Sequence, residues 1–309
     1  MADNWAEDLR NVEYRNNVTH ELRQEPGILY PLAGSTDNYA GSKSARIESR
    51  FAQLQLQKKT TRNGDTNNVD PSTQNRFVRK PGSSNVAPLI DRDDVNATSV
   101  ELKSPLIMET AMAVRQYHDD QFLKGWWGSG YTGETGEIEV AFPAGNKVAV
   151  NYGGAGPTGL TLEKLIELQR LLGRSNVSFK REAPIILLDP DSQADLFRIN
   201  EYKNFDYNGS KPLVDGEVKP WMGFRFIQAN LFDATAYPES APLFQVGGIN
   251  RLPVIVPSGI HRAVWVEFWG KVSDRGDKQH SEQIYAEAES IGVRTDEKKA
   301  WFIETKPAG

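Results

Sequence analysis

The sequence predicts an α+β protein, and three observations carry that prediction. Two stretches repeat apolar residues at helical spacing and bring their own start and stop signals. From about residue 254 the chain reads as strands and turns. Between them, strands and helices do not alternate regularly enough to build a doubly wound parallel sheet. The 309 residues, with 39% hydrophobic and 25% charged content, suit a folded chain.

Composition removes several classes of function. There is no cysteine, so disulfides and Cys-ligated metal sites are excluded. His20, His118, His261 and His280 lack zinc-ligand spacing, and no nucleophile–base pair stands out, so no catalytic residue, metal or cofactor is expected. A net charge of -5 argues against wholesale nucleic-acid binding. MADNWAEDLR lacks the basic start and apolar core of a signal peptide. No run approaches the ~20 apolar residues of a membrane span. A soluble, cytoplasmically made protein without a membrane partner is the expectation.

Residues 1–45 show no sustained periodicity, and Pro26-Gly27, Gly34-Ser35 and Gly41-Ser42 interrupt any regular element. Yet Trp5, Tyr14, Ile28, Leu29, Tyr30 and Tyr39 are costly to leave in water, so the stretch reads as an arm that packs on another surface. Phe51, Leu54 and Leu56 form a partly alternating run before Lys58-Lys59, and Arg76-Phe77-Val78-Arg79-Lys80 reads as the returning strand of a long polar hairpin turning near Asn63-Gly64. So polar a ribbon is marginal alone in water. Its cations Arg46, Arg50, Lys58, Lys59, Arg62, Arg76, Arg79 and Lys80 outnumber Glu48, Asp65 and Asp70. In an acidic chain, a neighbouring copy is the expected partner, ahead of a solvated loop or nucleic acid.

The spacing then predicts a helix over 104–125, N-capped by Ser104, with Pro105 at its first helical position, Ile107, Ala111, Val114, His118 and Phe122 on one face, and Gly125 as its stop. His118 reads as a core-edge histidine. Residues 138–142 and 148–150 read as a hairpin around Ala144-Gly145-Asn146. Gly154-Ala155-Gly156-Pro157-Thr158-Gly159 matches the dinucleotide-binding G-x-G-x-x-G pattern, with Glu182 where a ribose-binding acid would fall. The following helix, however, starts at Thr161, after the third glycine, and Pro157 removes a backbone donor. A flexible connection is the preferred reading, with a nucleotide-dependent enzyme as the alternative.

Helix 161–172 carries a broad leucine face and Gly173 as its stop. Ile185-Ile186-Leu187-Leu188 reads as a buried strand, Asp189 caps a helix opened by Pro190, and turns are expected at Asn208-Gly209 and Asp215-Gly216 before a strand from Trp221 to Ile227. Residues 243–256 read as short strands broken by Gly247-Gly248 and Pro253. The terminal strands 263–272, 283–291 and 300–304 read as a meander, with Arg275-Gly276-Asp277 as a turn.

The segments DPDSQADLFRINEYKNFDYN (189–208) and LVDGEVKPWMGFRFIQANLF (213–232), with Arg115-Gln116-Tyr117-His118-Asp119-Asp120 and Leu123-Lys124-Gly125, carry a resemblance. In this order of elements the chain is similar to the major capsid (coat) proteins of tailed bacteriophages, which share the Johnson (Hong Kong 97-like) fold. The resemblance is specific in residues only between about 115 and 227. It implies an N-terminal arm over 1–45, an extended loop over 46–100 lying on a neighbouring subunit, and a peripheral domain over 101–183 with spine helix 104–125. It further implies an axial domain over 184–253, whose loops meet at pentamer and hexamer centres, and terminal peripheral strands over 254–309.

The implied function is a virion shell protein, assembled in host cytoplasm into an icosahedral capsid enclosing double-stranded DNA that it contacts non-specifically. A separate scaffolding protein and a portal are implied, with a decoration protein as an optional addition. The inter-subunit contact candidates are Trp5, Lys58, Lys59, Arg62, Arg76, Arg79, Lys80, Lys211, Asp215 and Lys219. Some relatives join a lysine to an asparagine covalently; no acid catalyst or acceptor is identifiable here, and no crosslink is expected. A cellular nanocompartment shell of the same fold is the nearer alternative.

Overall fold

The structure, a computed structural model, describes residues 24–51, 54–56, 58, 62, 68–93, 102–203 and 218–306. Trp5, Lys59, Lys211, Asp215 and the turns expected at Asn63-Gly64, Asn208-Gly209 and Asp215-Gly216 lie outside the described residues.

In chain order, β1 (Ser35–Asn38) is followed by the ribbon strands β2 (Ser44–Phe51) and β3 (Thr73–Arg79), then the short β4 (Ser84–Val86) and β5 (Leu89–Ile90). Helix α1 (Lys103–Trp127) leads to β6 (Gly130–Thr132), β7 (Ile138–Val140) and β8 (Lys147–Val148). Helix α2 (Leu162–Arg174), β9 (Ile185–Leu188), α3 (Pro190–Arg198) and β10 (Arg225–Gln228) follow. The chain closes with β11 (Gln245–Val246), β12 (Ile249–Ile255), β13 (Ile260–Arg275), β14 (Ser281–Arg294) and β15 (Ala300–Thr305).

These strands form three sheets. The first has the order β1-β13-β14-β4, with β5 also on β14; the second β10-β9-β12-β15-β8, with β11 on β12; the third β2-β3-β6-β7. The continuous apolar run of β9 is explained by burial on both faces. Ile186 and Leu188 face Leu165, Leu168 and Leu172 of α2 and Leu196 of α3. Ile185 and Leu187 face Phe122, Leu123 and Trp126 at the end of α1, with Tyr237 and Phe244. Each such side chain contributes about 1.5–3 kcal/mol when fully buried. The second sheet is therefore the centre of the molecule.

The local caps form as their chemistry requires. Asp189 accepts the Ser192 N–H at 3.3 Å, with Pro190 opening α3. Thr161 accepts the Lys164 N–H at 3.4 Å and starts α2. The ribbon pairs antiparallel from Ser44↔Arg79 to Phe51↔Thr73. Arg275-Gly276-Asp277 is a turn closed by an Arg275–Asp277 ion pair at 2.6 Å.

Other expectations are corrected. Helix α1 is capped by Leu102 without a side-chain bond, two residues earlier than Ser104, and Pro105 is its third residue instead of its first, still within the turn where no intrahelical N–H is required. Gly125 does not end it: the helix runs on to Trp127. A Cβ at Gly125 would overlap the Gly292 carbonyl oxygen of β14, so this glycine serves the close approach of helix and sheet. Gly173 likewise lies inside α2, which ends at Ser175 and the left-handed Asn176.

The hairpin expected over 138–150 does not form, because β7 pairs with β6 in the third sheet whereas β8 runs parallel to β15 in the second. The strand from Trp221 shortens to β10. Trp221 and Phe224 close a tight turn in which Met222 and Gly223 take φ 52 and 81. Pro253 sits inside β12 opposite Phe302 instead of breaking it. The terminal meander is only two strands, β13 and β14; β15 crosses into the second sheet and pairs with β12.

Candidate assembly interface

The hairpin's candidate residues separate into three situations. Lys58 and Arg62 are exposed beyond the paired part of the ribbon. Arg79 lies 3.9 Å over the Tyr131 ring and donates to the Gly136 carbonyl, and Lys80 pairs with the buried Glu289 at 3.0 Å, so both also brace the ribbon against its own subunit. Arg76 is corrected. Expected to face a neighbour, it is buried and held inside the chain by Glu297 and by the Thr295 carbonyl at 3.2 Å. β3 is buried on both faces over Arg76-Phe77-Val78, which encloses Arg76 along with the core residues that follow it. Lys219 is half-buried, with its backbone N–H donating to the Tyr202 hydroxyl at 2.8 Å.

Sequence reasoning missed the side chains that hold the arm's root and the spine helix together. Asp119 of α1 accepts four consecutive backbone N–H groups, from Gly27 at 2.7 Å, Ile28 at 3.2 Å, Leu29 at 2.9 Å and Tyr30 at 2.8 Å. Asp120, on the next position, accepts from the N–H groups of Glu239 and Ser240 and from the Ser240 hydroxyl at 2.6 Å. Burial pushes both carboxyls above their ordinary range, and these donors pull them back.

His118 completes the set. A carbonyl can only accept, so Nε2 donates to the Glu267 carbonyl at 2.7 Å and Nδ1 accepts from the Ser290 hydroxyl at 2.6 Å. The ring is held neutral, and burial lowers its pKa. The expected core-edge histidine is thus found as a clamp between α1, β13 and β14. His261 does the same for β1, between the Ser35 hydroxyl at 2.7 Å and the Tyr39 hydroxyl at 3.1 Å.

The glycine segment before α2 is a largely exposed turn whose end, at Gly159, is half-buried. Lys164 lies wholly buried behind it, donating to the carbonyls of Thr158, Gly159 and Glu304, and burial brings its pKa down to about 8. A Cβ at Gly159 would overlap the Asp195 carboxylate, which already takes the Leu160 N–H at 3.1 Å. A dinucleotide's phosphates would have to displace that carboxylate. Among the described residues no three His, Asp or Glu side chains gather into a metal-binding group, and no helix is long and apolar enough to cross a membrane.

A spine helix crossing a strand pair, a mixed central sheet and a projecting polar ribbon together give the chain the Hong Kong 97-like fold. The family model described as "Phage capsid protein" matches residues 6–306, and the chain belongs to that family. Its function is structural: it is a major capsid protein, and its place is the virion capsid.

Solved structures agree in fold. The capsid of cyanophage P-SCSP1u is similar at TM-score 0.73 and 11% identity, over 98% of this chain and 94% of that one. The cyanophage Pam1 capsid asymmetric unit is similar at TM-score 0.71 and 12% identity, over 96% of each chain. A chain of Mycobacterium phage Che8 is similar at TM-score 0.69 and 12% identity, over 94% of this chain and 95% of that one. No curated sequence matches the chain.

Proposed function

We propose that this capsid protein assembles into the pentamers and hexamers of an icosahedral shell that encloses double-stranded DNA. Assembly takes place in host cytoplasm with a separate scaffolding protein and a portal; DNA is contacted through its backbone charge alone, and a decoration protein is an optional addition. The observation that carries this reading is the ribbon. Beyond Phe51↔Thr73 it exposes Leu54, Leu56, Val69, Lys58 and Arg62, side chains that the described residues of the subunit leave in contact with solvent. Closed assemblies of one chain supply such partners repeatedly.

In this reading residues 1–45 act as the arm, 46–100 as the extended loop, 101–183 and 254–309 as the peripheral part, and 184–253 as the axial part, to which β15 adds a strand. Trp5, Lys58, Lys59, Arg62, Lys211, Asp215 and Lys219 meet neighbouring copies. Co-expression with the scaffold tests the proposal: megadalton particles in sedimentation support it, and a monomer or small oligomer under every assembly condition overturns it.

A further inference from the structure

We propose that the end of the central sheet at which β9, β10 and β15 begin is a binding surface for the phosphate backbone of DNA and faces the shell interior. The inference rests on the shell reading above and assigns its DNA contact to one surface.

Strand register gathers the cations. Arg225 opens β10 opposite Ile185, the first residue of β9. Ile185 also lies opposite Ile255, the last of β12, and Ile255 opposite Ala300, the first of β15. These four strands end on one line about 14 Å long, at ~4.8 Å per strand spacing. Lys180 and Arg181 stand in the chain that enters β9, and Lys298 in the turn that enters β15. The Phe179 ring packs edge-on against Phe224 at 5.4 Å, which holds 178–181 beside Arg225. Arg174 closes α2, and Asn176, at φ 61, turns the chain from that helix toward β9.

These cations are available to a partner. Arg174, Lys180, Arg181, Arg225 and Lys298 are exposed, and none forms an ion pair among the described residues. The carboxylates of the rim are taken: Glu182 by Lys299 and Ser258, Asp296 by Arg50, Glu297 by Arg76. Residues 169–181 carry four Lys and Arg and no Asp or Glu, in a chain of net charge -5. So local an excess repels itself until a polyanion offsets it.

The surface selects the kind of partner. None of the exposed large apolar side chains falls on 174–184, 223–225 or 296–300. A protein partner is held by aromatic and aliphatic anchors, which those segments do not present. A phosphate backbone needs spaced cations and small polar donors, and Ser175, Asn176 and Ser178 supply such donors between Arg174 and Lys180. Duplex DNA carries one charge per ~1.7 Å of axis, so a rim about 14 Å long meets about eight of them. Contacts to phosphate carry no sequence information, so binding is independent of base sequence.

The test is the anisotropy of a labelled duplex of mixed sequence, titrated with the full unassembled chain over a salt series. The logarithm of affinity is expected to fall against that of salt with a slope of about −4, from ~0.9 per engaged cation. Lys180→Gln with Arg181→Gln is expected to make the slope shallower by about 2, one per cation. Lys43→Gln with Lys271→Gln, the same change of charge at exposed sites elsewhere, is expected to leave it unaltered. An unaltered slope in the rim pair, an equal loss in both pairs, or no binding by the unmodified chain at about 50 mM salt overturns the proposal. Co-expression with scaffold gives a second arm, in which the rim pair is expected to form particles as the unmodified chain does. Loss of particles at unchanged Tm assigns the rim to a neighbouring copy, whose acidic turn with Glu134, Glu137 and Glu139 complements it, and overturns the proposal. If the rim pair melts early, Arg174→Gln with Lys298→Gln replaces it under the same criteria. Failure of the unmodified chain to form particles sinks the shell reading alone, because the slopes still decide the rim.

Discussion

The carboxylate of Asp119 gathers four consecutive N–H groups of the arm's root, one of them on Leu29, which is fully buried. Removing the acceptor leaves those donors inside the protein without a partner, at roughly 2–4 kcal/mol. Asp119→Ala is expected to lower unfolding free energy by that amount in denaturant titration and to raise hydrogen exchange at Gly27 to Tyr30; unchanged exchange there would contradict the assignment. His118 and His261 give a pH dependence. Burial lowers both below the ordinary 6.5. Below about pH 6.5 the unfolded chain binds protons that the folded chain refuses, so stability falls as pH drops through that value. His261→Gln is expected to flatten the loss of Tm between about pH 6.5 and pH 5; an unaltered slope would show that this ring is not the titrating group. The sequence marks His118 as core-edge because it lies on the apolar stripe of its helix. It says nothing of Asp119 and Asp120, whose partners lie about 90 and 120 residues away.

Glycines separate what is local from what is not. Gly125 and Gly173 look alike in sequence, each at the end of an amphipathic run. Gly173 faces open space, whereas a side chain at Gly125 meets the backbone of β14. Gly173→Ala is therefore expected to stabilise by about 0.5–1 kcal/mol, as helix propensity dictates. Gly125→Ala is expected to destabilise by roughly 3 kcal/mol, since helix and sheet must part. Thermal denaturation of the two variants decides it, and equal effects would show that Gly125 is a propensity site after all. The same division explains the caps and strands. Thr161 and Asp189-Pro190 were readable because a cap is chemistry within three residues. Residues 138–150 misread as a hairpin because nothing local tells β8 that its partner is β15, about 150 residues on. Pro253 looked like a breaker because pairing by β12 is decided by distant strands.

For the whole molecule, the ribbon is the part that folding of the subunit leaves unfinished. Replacing residues 54–70 by a two-residue Asn-Gly turn keeps the pairing through Phe51↔Thr73 and removes no strand residue among those described. Stability of the subunit should change by less than about 1 kcal/mol, because loop-closure entropy varies slowly with length. Shell formation should be lost, and sedimentation alongside calorimetry reads both. Unfolding of the shortened subunit would place the ribbon tip in the subunit's own core. The polar, cation-rich ribbon was legible from composition, and its need for a partner followed from the marginal stability of a lone hairpin. The crossing of β15 into the central sheet was not legible, because a third strand after an antiparallel pair fits a meander equally well by pattern. Electron microscopy of the chain assembled with its scaffold is the most direct measurement: uniform polyhedral shells with subunits in five- and six-fold clusters are the predicted image, and a field of dispersed monomers or small oligomers under all assembly conditions would contradict it.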